Sequence, residues 1–362
     1  MSEKTNIEWC DSTWNPLRGC SRVSEGCRNC YAEKLAYRFS GAGQPYEGLA
    51  VLKNGHASWT GDVRLVEEHL LDPLKWKKPQ RIFVNSMSDV FHENVPDEWI
   101  DRIFAVMALC PQHVFQLLSK RPERMRDYMS NDWGTRVANQ LVRWLSDDAI
   151  TTKQFEQKRY RLTEPLPNVW LGVSVEDQKT ADERIPLLLQ IPAALRFVSC
   201  EPLLGPLELR VRETDPDDPA LGWSSDALFP WDMWRSDDGL SSDGPLHPRI
   251  DWVICGGESG PGARPMHIDW ARGLRDQCVA AEVPFFFKQW GEWRPPMEGE
   301  TYTTADGLAG KPPAYLVESS GMVNCFHRAG EENPQVMLRV GKKKAGAVLD
   351  GREWKQFPEA QQ

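Results

Sequence analysis

Six short apolar runs, each closing on a cluster of polar residues and usually followed by a helical stretch, constrain this chain's fold more than any other feature. Three are Arg81-Ile-Phe-Val-Asn85-Ser86-Met-Ser88-Asp89, His113-Val-Phe-Gln-Leu-Leu-Ser119-Lys120-Arg121 and Asn168-Val-Trp-Leu-Gly-Val-Ser174-Val-Glu176-Asp177. The others are Leu195-Arg-Phe-Val-Ser199-Cys200-Glu201-Pro202, Asp251-Trp-Val-Ile-Cys255-Gly256-Gly257-Glu258-Ser259 and Pro284-Phe-Phe-Phe-Lys288-Gln289-Trp290. Continuous apolar strands alternating with helices predict a parallel sheet covered on both faces. A further strand over residues 5–18, turning at Asn15-Pro16, brings the count to about seven βα units. The expectation is an α/β fold, a full or partial (β/α) TIM-type barrel over residues 1–291, with a C-terminal extension, 292–362, packed on it.

Several stretches depart from the repeat. Residues 40–61 read as a Gly/Pro-rich linker and Asp62 to Lys78 as a helix. A polar, helical excursion at about 140–167 and an acidic stretch at 211–249 read as insertions. The second carries Glu213, Asp215, Asp217, Asp218, Asp226, Asp232, Asp237, Asp238 and Asp243, with only Arg235 between them. Its Trp223, Phe229, Trp231 and Trp234 predict packing on the barrel or on a protein partner. Near the C-terminus, Lys342-Lys343-Lys344 is a phosphate contact or a solvated charge run, and Ala347-Val-Leu349 a late strand.

Ahead of the first helix lies Cys20-Ser-Arg-Val-Ser-Glu-Gly26-Cys27-Arg-Asn-Cys30. Two residues separate Cys27 from Cys30, so both sulfurs can face one centre, and Gly26 lets the backbone bend around it. Soft thiolates select iron–sulfur clusters or zinc. Three thiolates on a four-iron cluster leave one iron open to an exogenous ligand, whereas a closed structural zinc site takes four. Cys10 is the nearby candidate for a fourth, so a [4Fe-4S] cluster and Zn2+ both remain open. Helical periodicity from Tyr31 to Phe39 places a helix directly after the loop.

In parallel β/α folds the chemistry sits at the C-terminal ends of the strands. Here those ends carry Ser86, Ser88, Asp89, Ser119, Lys120, Ser174, Glu176, Cys200, Glu201, Glu258 and Lys288. A serine at such a place caps the next helix as readily as it binds a ligand. Glu201, Glu258, Lys120 and Lys288 carry more weight, because a charge is costly to bury. No histidine stands at these ends, which counts against a metal-assisted hydrolase built on Glu201 and Glu258.

Composition narrows the setting. No apolar run approaches the ~18–20 residues that span a bilayer, and the polar start Met1-Ser-Glu-Lys is not a signal peptide. A cytoplasmic protein is expected, its nine cysteines serving as thiols and ligands rather than disulfides. The net charge of −9 argues against broad nonspecific nucleic-acid binding. Local basic groups (Lys75, Lys77, Lys78 and Arg81; Lys120, Arg121, Arg124 and Arg126) leave room for a nucleotide or nucleic-acid substrate.

The segments Ile7-Glu-Trp-Cys10-Asp-Ser-Thr-Trp-Asn-Pro16, Gly19-Cys20 to Glu33, Cys200-Glu201-Pro-Leu-Leu-Gly-Pro, Gly256-Gly-Glu-Ser-Gly and Phe287-Lys288-Gln289-Trp290-Gly291 together resemble the phage-associated three-Cys-motif family. That family is itself similar to radical S-adenosylmethionine proteins. The resemblance implies a cluster on Cys20, Cys27 and Cys30, S-adenosylmethionine as cofactor and an electron-donor protein. In that superfamily a Gly-Gly-Glu motif follows the second strand; here Gly256-Gly257-Glu258 follows a late one, so Ser86, Ser88 or Asp89 would take the cofactor's amino group. Ser119, Lys120, Ser174 and Glu176 would complete its pocket. Cys200 (or Cys255), Glu201, Glu258 and Lys288 would act on the substrate, with nucleotide or nucleic-acid modification or repair as the implied task. The rival class is a zinc-stabilised, non-catalytic binding module for nucleic acid or protein.

Overall fold

A computed structural model of the chain describes residues 3–146, 165–213, 223–228, 248–300, 314–317, 323–324 and 335–359. The chain divides into two compact units, Met1–Ser174 with Ile191–Arg196, and Val175–Gln190 with Phe197–Ala360. Seven strands run parallel to a sheet neighbour and lie in chain order: β1 (Ser12–Trp14), β2 (Arg81–Val84), β3 (Val114–Ser119), β4 (Val169–Ser174), β5 (Leu195–Cys200), β6 (Trp252–Gly256) and β7 (Phe285–Gln289). The fold is therefore α/β, with each apolar run of the sequence forming a strand.

In the first unit β1 to β4 are mutually parallel, with Ser12 opposite Ile82, Ile82 opposite Phe115 and Phe115 opposite Val169. A short antiparallel strand, Glu3–Lys4, edges β1. Helices α1 (Tyr31–Arg38), α2 (Asp97–Ala108), α3 (Pro122–Met129) and α4 (Trp133–Ser146) follow strands of this unit. Ile100, Ile103 and Phe104 of α2 are buried, as are Val137 and Leu141 of α4. Their spacing of three and four residues is that of a helix with one apolar face. In the second unit α5 (Gln178–Gln190) and α6 (Ile268–Ala280) accompany β5 to β7, where Val198 opposes Val253 and Val253 opposes Phe285. Val198, Val253, Ile254, Phe286 and Phe287 are all buried, which accounts for their unbroken apolar sequence.

Beyond β7, the strands Trp293–Arg294, Gln335–Arg339, Ala314–Val317 and Val323–Asn324 form a small antiparallel sheet. The hairpin of Val348–Leu349 and Arg352–Glu353 turns at Asp350-Gly351, both with positive φ. The chain then lies antiparallel along β7. Phe287 N donates to Trp354 O at 2.7 Å, Gln356 N donates to Phe285 O at 3.2 Å, and Phe357 packs on Trp252 and Phe286. The C-terminal segment thus covers the outer edge of β7.

Three local expectations change. Residues 40–61 contain a hairpin, Ala50–Lys53 with His56–Trp59, turning on Asn54-Gly55 with φ of 49° and 77°. Asn-Gly is a strong signal for a two-residue hairpin turn, and composition alone hid it. Asp62 to Lys78 is not one helix: a strand Arg64–Leu65, a helical turn Glu67–Leu70 and a 3₁₀ turn Asp72–Lys75 share it, the last opened by Pro73. The excursion at 140–167 begins as the end of α4, and its residues 147–164 lie outside the described ones. The acidic stretch opens on a hairpin, Arg210–Glu213 with Trp223–Asp226. Phe229, Trp231 and Trp234 lie outside the described residues. Among the described residues no helix is long and apolar enough to cross a membrane.

Candidate functional site

The cysteine loop leaves the C-terminal end of β1 through a tight approach. Gly19 has φ +96° and bridges Ser88, and a Cβ there would stand 2.1 Å from Asp62 O. From Cys20 the chain passes through the 3₁₀ turn Glu25–Cys27, closed by Cys27 N to Ser24 O at 3.0 Å. Cys30 is the N-cap of α1, and Ala32 and Ala36 of that helix are buried against Leu49, Ala50, Trp59 and Met87. Cys20 and Cys30 pack on the same cluster. Glu33, in the first turn of α1, is buried and accepts both Nε and Nη2 of Arg22, the latter at 2.5 Å, and the N–H of Trp59 at 2.9 Å. One carboxylate thus ties the loop, the helix and the hairpin together.

The three thiols are electrostatic neighbours. Burial and the Asp89 carboxylate push Cys20 up to about 12 against the pull of Arg121, and Cys30 and Cys27 add to the rise. Burial also raises Cys30, while the first-turn N–H groups of Glu33 and Ala32 favour its thiolate without closing to hydrogen bonds. Arg22, raised chiefly by its bond to Glu33, also feels the charges of Cys27 and Cys30. Two guanidiniums therefore flank the trio, which suits thiolates that must lose their protons to a metal. Among the described residues no three Cys, His, Asp or Glu side chains converge to metal-ligand geometry.

Arg121, at the end of β3, fastens this loop to the neighbouring strand ends. Its Nη1 donates to Asp89 Oδ2 at 3.0 Å and stands 3.9 Å from Cys20 Sγ. Its Nε donates to Glu93 Oε2 at 2.8 Å, and its Nη2 to Ser21 Oγ at 2.7 Å. His92 is fully buried; its Nδ1 accepts from Asn94 N, so Nε2 carries the proton and donates to Ser21 Oγ at 2.9 Å. Burial and Arg121 lower its pKa, in keeping with that neutral tautomer. Burial works against ionised Glu93, yet its own backbone N–H, Arg121 and Ser21 hold it down at about 2.

Sequence reasoning missed Arg22, Glu33, His92 and Glu93, because no periodicity marks a partner many residues away. It named Asp89, but as a cofactor ligand. The Asp89 carboxylate accepts from Ser119 Oγ (2.8 Å), Phe91 N (3.0 Å), Lys120 N (3.2 Å) and Arg121. Ser86 Oγ donates to Asn15 Oδ1 and Ser88 Oγ to Leu17 O. These side chains shape the strand-end loops; Lys120 is half-buried beside them and Ser174 is buried at the end of β4. Cys10 sits elsewhere. It precedes β1, where Asp11 N donates to Arg81 O at the start of β2, while Gly19 bridges Ser88 beyond the other end of that strand. A strand therefore separates Cys10 from Cys20, and a four-thiolate site with Cys10 does not form here.

The second unit holds the remaining strand-end charges. Glu176 is buried with Arg184 of α5 at 3.2 Å. Glu258 is buried and clamped by Arg264, through its backbone N at 2.7 Å, Nε at 3.0 Å and Nη2 at 2.8 Å. Glu201 pairs with Lys288 at 2.8 Å, both partly exposed, with Ser199 Oγ donating to the same carboxylate. A Cβ on Gly256 would stand 2.7 Å from Glu201 Oε1, so only glycine leaves that carboxylate its place. Gly257 and Gly291 bring their loops together so closely that a Cβ would meet Trp290 O or Glu258 O at 2.0 Å. Cys200, opposite Cys255, is wholly buried, and burial followed by Cys255 and Cys278 of α6 raises its pKa well above the usual thiol range. Alternation along β5 sets Cys200 on the opposite face from Ser199 and Glu201.

Most of the basic groups noted in sequence are matched within the fold. Lys75 pairs with Asp72, Arg81 with Asp11, Arg124 with Asp97 and Arg126 with Asp127. Lys77 and Lys78 are exposed.

No curated protein and no solved structure matches the chain. One family model does, over residues 4–358 of 362, and by it the chain belongs to the family described as protein of unknown function (DUF5131).

Proposed function

We propose that this chain is a radical S-adenosylmethionine-type iron–sulfur enzyme acting on a nucleotide or nucleic acid, in modification or repair. The observation that carries it is the grouping of Cys20, Cys27 and Cys30, flanked by Arg121 and Arg22, beyond the C-terminal ends of parallel strands. Cys10 stands apart from them, which favours three protein ligands over four and so an open iron over a closed zinc site. A partial β/α barrel accords with parallel strands in chain order alternating with helices.

Cys20, Cys27 and Cys30 would hold a [4Fe-4S] cluster, which when bound supplies one electron for the reductive cleavage of S-adenosylmethionine. Arg121 and Arg22 offset the negative charge of the thiolates. Asp89, Ser119 and Glu93 hold Arg121 in place rather than meeting the cofactor. The partly exposed Glu201–Lys288 pair is the strand-end pair open to a ligand, with Lys288 fit to hold an anionic or carbonyl group and Glu201 to keep that ammonium oriented. Reduction requires an electron-donor protein, and a cytoplasmic setting suits the thiols.

Anaerobic purification with iron, sulfide and zinc analysis tests this. The expected result is broad absorbance near ~400 nm and about four irons per chain. Loss of iron in Cys27→Ser and retention in Cys10→Ser would follow, and dithionite with S-adenosylmethionine would yield 5′-deoxyadenosine. A colourless chain with about one zinc, released by Cys10→Ser, would overturn the proposal in favour of the closed site.

A further inference from the structure

The C-terminal ends of β5, β6 and β7 meet in an arrangement that regular strand pairing does not produce. Cys255 lies opposite Phe287 and Gly256 opposite Gln289, so Lys288 is the extra residue of a β-bulge. Bulges between parallel strands are rare, and those beside functional sites re-aim a side chain. Here the bulged residue meets Glu201, with Lys288 Nζ 2.8 Å from Oε1. Gly256 shares the place: a Cβ there would stand 2.7 Å from the same Oε1. The φ of Gly256 lies outside the left-handed region, so its backbone makes no demand for glycine. Space beside the carboxylate is what this glycine provides.

The hydrogen-bonding capacity of the pair is only partly used. A carboxylate can accept on both lone pairs of each oxygen, and an ammonium can donate through every N–H. Among the described residues Glu201 accepts from Lys288 at Oε1 and from Ser199 Oγ, 3.3 Å from Oε2, while Lys288 Nζ donates to Glu201 alone. The other strand-end acids of this unit differ: Glu176 and Glu258 are buried, each closed off by an arginine. The side chains of Lys288 and Glu201 stay 18% and 15% exposed. Lys288 Nζ, Oε1 and Oε2 thus present donor, acceptor and acceptor in a row.

We propose that this row binds the Watson–Crick edge of guanine, whose O6, N1–H and N2–H present acceptor, donor and donor. The inference rests on the nucleotide reading of this site and names its base. Lys288 keeps one N–H on Oε1 and gives another to O6. Oε1 then accepts N1–H, and Oε2 accepts N2–H while holding Ser199. Every group is satisfied without breaking the Glu201–Lys288 pair. Adenine and cytosine set an amino donor against the ammonium, and uracil sets O2 against Oε2. A phosphate is the poorer occupant, because the pair is neutral as a whole and turns a carboxylate toward the anion.

Calorimetric titration of the anaerobically purified full chain tests this, with GMP, IMP, AMP, CMP and UMP as ligands that differ only in the base. GMP should bind about tenfold or more tightly than IMP, which lacks the N2 amino group, and the remaining three should bind more weakly still. A short single-stranded oligonucleotide with one guanine, beside its inosine copy, tells a base in a strand from a free nucleotide; the preference is expected in at least one form. Lys288→Met should remove it, with a thermal melt to verify folding. Glu201→Gln keeps an acceptor beside Lys288 and puts an amide donor at the place of Oε2. That row complements uracil, so the preference should pass from GMP to UMP, a gain that a misfolded chain does not show. Pterin carries the same edge as guanine and serves as the non-nucleotide competitor. Nucleotides bound without base preference, a preference unchanged in both variants, or pterin bound most tightly would overturn this inference alone. Failure to bind any nucleotide or oligonucleotide would overturn the nucleotide reading with it, whatever the iron content of the same sample.

Discussion

Arg121→Met is the sharpest perturbation of the cysteine loop. Arg121 and Asp89 are almost dry, with side chains 9% and 7% exposed. Removing one partner of a buried ion pair generally costs ~3–5 kcal/mol, because the other charge stays buried and uncompensated. Asp89 would keep Ser119 Oγ and two backbone N–H groups, which places the cost near the lower end, about 3 kcal/mol. Glu93 adds little, since its side chain is 60% exposed and water replaces the guanidinium. Adding Asp89→Asn removes the stranded charge while preserving an acceptor for Ser119. The double variant should therefore recover about 2 kcal/mol, a coupling that independent sites do not show. Urea unfolding followed by tryptophan fluorescence, at pH 7 and with metal removed from every sample, measures it as a midpoint shift at constant slope. A cost below ~1 kcal/mol for Arg121→Met, or strict additivity of the two substitutions, would refute the reasoning.

Gly291→Ala should lower stability by at least ~2 kcal/mol, since φ is +83° and the new Cβ meets Glu258 O, whereas Gly43→Ala, with open space around it, should cost only the backbone strain of its positive φ; thermal melts of both compare them. Asp350 is held at about 2, against an ordinary 3.8, chiefly by the Arg272 side-chain bond, against some burial and with help from Arg275. A carboxylate with a depressed folded pKa stabilises above its unfolded value and loses that contribution as pH falls from about 4 to about 2. Urea midpoints of the wild type should therefore drop more steeply across that window than those of Asp350→Asn. Lys288→Met should abolish turnover while leaving iron content unchanged, which iron analysis beside a 5′-deoxyadenosine assay would check.

The strands were legible because each is a continuous apolar run, and burial on both faces allows no polar alternation. The cysteine trio was legible because its spacing is local. Less visible were ties between distant residues: Arg22 with Glu33, Asp89 with Arg121 and Glu201 with Lys288 acquire meaning only when strand ends meet. Reading every strand-end charge as a possible ligand also overcounted, since Glu176 and Glu258 find arginines on their own following segments. Cys10 misled for the opposite reason. It is near Cys20 in sequence, but even the three residues of β1 carry the chain from one end of the sheet to the other.

The backbone of β7 exchanges hydrogen bonds with residues 354–356, with the whole antiparallel sheet of the C-terminal segment made in between. On a ribosome, the nascent chain must hold β7 with one edge open until residues 354–356 emerge. Phe285, Phe286 and Phe287 make that interval hazardous, since an unpaired aromatic strand edge recruits other chains. Lys355 closes it with its ammonium on the carbonyls of Phe287 and Lys288. Truncation before Trp354 should therefore yield aggregates rather than a shortened soluble protein, because the chain then lacks the segment that makes this sheet edge safe.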